Sequence, residues 1–118
     1  MSDETALTEG ELALLRDAEI DDVHTVSMLF DLGLIESTKD RPTPDAVSAA
    51  FESLARLLDL GLIRVGRLEN SDGGPDGRLA PVRHVAEPLD VVHARVTTAI
   101  AAAQEPSDWW FASWVVAT

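Results

Sequence analysis

The sequence predicts an α+β fold, mostly helical, with a small antiparallel sheet closed by the C-terminal strand. Three observations carry that expectation. Apolar residues recur at helical spacing in four separate stretches of the chain. The third of these runs through Gly61 directly into "LIRVGRL", Leu62 to Leu68, where the period drops to two. The chain then ends on "DWWFASWVVAT", which places four of its six aromatic residues between Trp109 and Trp114, a segment too apolar to be left uncovered.

Each element has its own signal. Thr8 and Glu11 stand three apart, the spacing at which each side chain satisfies the other's unpaired N–H at a helix start. Leu12, Leu15 and Ala18 follow on one face, so the first helix is expected over about 9–18. Asp21 or Asp22 caps a second helix over about 22–32, in which Val23, Val26, Leu29 and Phe30 repeat and Gly33 ends the run. "LIESTKDRPTP", Leu34 to Pro44, is an ordered loop.

Thr43 before Pro44 opens the third helix, because proline's fixed φ and missing N–H cost nothing at the first position. Val47, Ala50, Phe51, Leu54, Leu57 and Leu58 form the clearest amphipathic stripe of the chain, over 44–60. After the Leu62–Leu68 strand, the glycine-rich "ENSDGGPDG" reads as a mobile loop at about 70–77. "RLAPVRHV" is a proline-interrupted strand. Leu89, Val92, Val96 and Ile100 mark a fourth helix over about 88–103. In the closing strand Trp110, Ala112, Trp114 and Val116 are expected to face the core. Trp109 and Phe111 then face outwards, towards a partner or a second copy.

Composition narrows the function. A chain of 118 residues is most simply one domain, residues 1–118. It has no cysteine, which excludes disulfides and thiolate metal sites and suits a reducing, cytoplasmic setting. "MSDETALTEGE" is acidic and is not the pattern of a secretory leader, and no run reaches the ~18 apolar residues of a membrane span. The net charge is −12, of which −9 lies in residues 1–40. So negative a field repels phosphates, and argues against a nucleic-acid partner.

The stretch "RPTPDAVSAAFESLARLLDLGLIRVGRLE" resembles the recognition helix and first wing strand of winged helix-turn-helix domains. The likeness covers about Asp22 to Glu69, and the aromatic C-terminus would supply the strand that closes the wing sheet. It implies a winged-helix-like helical bundle with one further helix inserted in the wing. It also implies a DNA-binding alternative, but the outer face expected for the third helix reads Asp45, Ser48, Ala49, Glu52, Ser53, Arg56 and Asp59. A recognition helix needs cations for phosphates and bidentate side chains for bases, and Arg56 is the sole such residue there. The alternative therefore rests on Arg56 with the wing arginines Arg64, Arg67, Arg78 and Arg83.

No catalytic, metal or cofactor motif emerges. His24 beside Asp21 and Asp22, and Asp90 three before His93, each fall short of the three or more ligands a metal site needs. The glycines at 73, 74 and 77 lack the lysine and helix start of a phosphate-cradling loop. The sequence is therefore expected to encode a small acidic, non-enzymatic protein-binding module, monomeric or homodimeric. Its acidic face (Glu9, Glu11, Asp17, Glu19, Asp21, Asp22, Asp31, Glu36) would meet a basic protein partner, as an immunity- or antitoxin-type inhibitor meets a toxin.

Overall fold

Capping chemistry sets half of the helix boundaries. In the computed structural model, which describes residues 7–37, 39–70 and 82–118 (the backbone alone at 68–70, 82, 83 and 106), α1 spans Glu9–Ile20. Thr8 and Glu11 form the reciprocal capping box: the Glu11 N–H donates to Thr8 Oγ1 at 3.1 Å and the Thr8 N–H to Glu11 Oε1 at 2.9 Å. A two-residue strand β1, Val23–His24, precedes α2, Thr25–Asp31, and the longest helix, α3, covers Pro44–Asp59. Strands β2 (Ile63–Asn70) and β3 (Val82–Ala86), helix α4 (Leu89–Ala102), a 3₁₀ turn at Pro106–Asp108 and strand β4 (Trp114–Ala117) follow.

Helices α2 and α3 end identically, in the motif that uses a left-handed residue to satisfy the last carbonyls. Gly33 (φ 74°) and Gly61 (φ 72°) supply that residue. Their N–H groups donate to Phe30 and Leu58, while those of Leu34 and Leu62 donate to Leu29 and Leu57. The second turn feeds β2 directly out of α3.

The sheet is antiparallel throughout, in the order β1-β4-β2-β3. The chain's last strand thus lies in its interior, with Val115 opposite both Val23 and Val65. The four helices α1 to α4 and this sheet enclose one core, in which Leu14, Met28, Leu29, Ala50, Leu57, Val92 and Val96 have no exposed surface. Most of the expected stripe of α3 is buried in it, Val47, Ala50, Phe51, Leu54 and Leu57, with Leu58 half-buried. None of the helices among the described residues is long and apolar enough to cross a membrane.

The structure corrects four expectations. The buried face of α1 is Glu11, Leu14 and Ala18; Leu12 is exposed and Leu15 half-buried, because the capping box turns Glu11 inwards. The second helix starts later than 22, since Val23 and His24 are drawn into the sheet by β4. The closing strand is only Trp114–Ala117; residues 109–112 form a turn instead, with the Ala112 N–H donating to the Trp109 carbonyl. Finally, Trp109 is 1% exposed, whereas Trp110 and Trp114 are half-buried. Side chains alternate between faces only where the backbone is extended, and the turn breaks that phase. The loop expected at about 70–77 lies outside the described residues from 71 onwards.

Candidate functional site

The C-terminal end of α1, the following turn, β1 and α2 bring part of the predicted acidic face together. Asp17, Val26, Ser27, Phe30 and Asp31 line a notch of about 210 Å³. A second notch of about 220 Å³ adjoins it through Asp17 and Ser27 and is bounded by Ile20, Asp21, Asp22, Val23 and His24. Ile20 is 84% exposed and Phe30 53% exposed, so large apolar side chains stand in the open between four aspartates.

The aromatic C-terminus extends this face. Phe111, 57% exposed, packs on the His24 ring at 4.9 Å and stacks on Trp114 at 5.9 Å. His24 lies 5.6 Å from Trp114 and shares a 3.1 Å hydrogen bond, through Nε2, with Ser27 Oγ. Burial lowers its pKa from the ordinary value, favouring the neutral ring. Phe30, Ser27, His24 and Phe111 thus link α2 and β1 to the turn that follows the 3₁₀ segment.

Electrostatics concentrate at one pair. Asp31 is pushed up to about 7, first by burial and then by a hydrogen bond to Asp17 and that residue's charge. Asp31 Oδ2 is buried without a donor. Two carboxylates on different helices therefore converge beside an exposed phenyl ring.

The remaining predicted residues are distributed differently. Glu9, Glu19 and Glu36 are exposed and line neither notch. Glu11 is overturned as a surface residue: it has no exposed area, holds the α1 cap, and meets Arg56 Nη1 at 3.4 Å. Trp109 belongs to the core, whereas Phe111 is exposed as expected. Among the alternative arginines, Arg56 is engaged by Glu11, and Arg67 lies 3.5 Å from Glu87, which also binds Arg95. Arg64 is exposed on β2, Arg78 lies outside the described residues, and of Arg83 only the backbone in β3 is described.

Exposed Ile20 and the His24–Phe111 contact were not foreseen as parts of one surface. The signal for Ile20 was present in "AEIDD", an isoleucine set among acids beyond the last core position of the helix. Among the described residues no group of three or more histidine or carboxylate side chains is arranged to hold a metal ion. Comparison with protein-family models, with curated proteins and with solved structures returned no match to this chain.

Proposed function

We propose that this chain is a small, non-enzymatic, cytoplasmic protein-binding module that engages a basic protein, in the manner of an immunity- or antitoxin-type inhibitor. The observation that carries the reading is that exposed Ile20 and Phe30 stand beside Asp17, Asp21, Asp22 and Asp31, with exposed Phe111 joined to this face through His24. Apolar anchors at the centre of an interface supply affinity, and a ring of one charge sign steers the partner in. A partner lysine or arginine fits between Asp17 and Asp31, where the Phe30 ring adds a cation–π contact. The same charge opposes pairing with a second copy through this face.

The scaffold supports a diverged winged helix: α3 passes through a tight turn into β2, and β4 closes the sheet against β2, with β3 and α4 between them in the sequence. DNA binding through that scaffold is the weaker reading, because Arg56 and Arg67 meet carboxylates within the chain.

The test is partner capture with a photo-crosslinking residue at position 30, followed by binding measurements on the captured protein. The reading expects a basic partner whose affinity falls steeply with salt and drops about tenfold or more in Phe30→Ala or Asp17→Asn. A partner insensitive to both substitutions rejects it. A mobility shift with duplex DNA at low salt, abolished by Arg64→Ala, would favour the alternative.

A further inference from the structure

Residues of α3, α4 and the loop before α3 line a cleft of about 350 Å³, separate in its lining from the acidic face. That size falls at the lower end of small-molecule sites, which run from about 300 to 1,000 Å³. Its walls are apolar, formed chiefly by Pro42, Val47 and Ile100. Its polar lining residues come from three different elements: Ser48 of α3, His93 and Thr97 of α4, and Arg41 of the loop before α3.

Arg41 is exposed but tethered. Its Nη2 donates to the Ala103 carbonyl at the end of α4, tying the loop across to that helix. That bond uses one of five guanidinium N–H donors. His93 closes part of the cleft, its ring stacked on the core residue Phe51 at 4.4 Å and 10°. In a chain of net charge −12, the lining of this cleft contains an arginine and no carboxylate. Asp45, in the first turn of α3, is exposed and outside the lining. The formal charge of the lining itself is therefore opposite to that of the molecule as a whole.

We infer that the α3–α4 cleft binds a small amphiphilic carboxylic acid, its apolar body between Val47 and Ile100 and its carboxylate on Arg41. An alkyl and an aromatic acid share this chemistry. An amine of equal length does not, since it would bring a cation against the guanidinium.

The experiment is an NMR titration of ¹⁵N-labelled full-length chain with octanoate, 3-phenylpropanoate and octylamine, read at the amides of Ser48, Thr97 and Ile100. Reading those positions separates cleft binding from amine adsorption on the acidic face. At least one acid is expected to shift them saturably, the alkyl or aromatic arm showing which body fits, while octylamine leaves them unmoved. Arg41→Gln should weaken the acid about tenfold, as loss of a charge-assisted contact does. Ser48→Trp should abolish binding by filling the cleft; if that variant fails to fold, Thr97→Trp fills it from the other wall. Unmoved amides with both acids, equal binding of the amine, or an Arg41→Gln variant that binds like the wild type would each overturn the assignment.

Discussion

The hydroxyls of Thr25 and Ser113 lie 2.8 Å apart in the buried interior, joining the start of α2 to the residue before β4 across 88 positions of sequence. The Ser113 N–H also donates to Thr25 Oγ1 at 2.9 Å. One hydroxyl thus serves both a side chain and a main-chain donor. Nearby the Trp110 carbonyl accepts from the Val26 N–H, at 3.3 Å, so the C-terminal turn completes a helix start whose cap residue, His24, gives no side-chain bond to the helix N–H groups.

The first prediction follows from that asymmetry. Thr25→Val keeps the shape but strands both the Ser113 hydroxyl and its N–H, and is expected to cost about 1–3 kcal/mol. Ser113→Ala leaves the N–H bonded to Thr25 and should cost less. Denaturant melts of the two variants check the order; equal losses would show that the main-chain bond contributes nothing.

The two aromatics of the C-terminal turn should separate cleanly. Trp109→Ala removes a side chain sealed in the core and is expected to cost about 3–5 kcal/mol. Phe111→Ala should change the melting temperature little, because most of that ring faces solvent, yet weaken partner binding. Thermal melts with a binding assay on the same samples test both halves.

How far the sequence could be read depended on whether local rules decided the outcome. Thr8 with Glu11, Thr43 with Pro44, and the glycines at 33 and 61 all act within a few residues, and each marked a true boundary. The α3 stripe was legible because one helix face meets one core. Glu11 was misread because its partners include Arg56, 45 residues away, as well as Thr8. Trp109 was misread because an apolar run does not disclose whether its backbone is strand or turn. For the site, the acids were visible as composition, but the meeting of Asp17 with Asp31, and of His24 with Phe111, depends on tertiary contacts that spacing does not encode.

Gly66 provides a third test. On β2 it is paired with both Ala86 and Trp114, and an added Cβ would stand 1.9 Å from the Val85 carbonyl oxygen. A backbone atom of a sheet neighbour cannot swing aside as a flexible side chain would. Gly66→Ala should therefore force β2 and β3 apart and destabilise by about 1–3 kcal/mol, as overpacking does. Hydrogen exchange at the Glu87 N–H, which donates to Val65 at the end of that pairing, should quicken in the variant; unchanged exchange and stability would show that the strands yield at no cost.

The last prediction concerns pH and the Asp17–Asp31 pair. With a folded value of about 7 against an ordinary 3.8, Asp31 retains its proton in the native state where the unfolded chain has lost it. The associated stabilisation is full below 3.8 and is lost as the pH rises through about 7, since there the native state must hold a charged carboxylate beside Asp17. An asparagine at this position would resemble the protonated form at every pH. Asp31→Asn should accordingly be more stable than the wild type at about pH 8, by about 1 kcal/mol once solvent screening of this partly exposed group is allowed for. The advantage should shrink towards zero as the pH falls to 3.8. Asp17→Asn removes the neighbouring charge and should bring the Asp31 titration down, visible directly in the carboxyl ¹³C shift. A cationic partner seated between the two carboxylates would do the same, so complex formation near neutral pH should release a proton in the wild type and none from Asp31→Asn. Isothermal titration in buffers of different ionisation enthalpy measures that proton, and equal release from both proteins would place the partner's cation elsewhere on the surface.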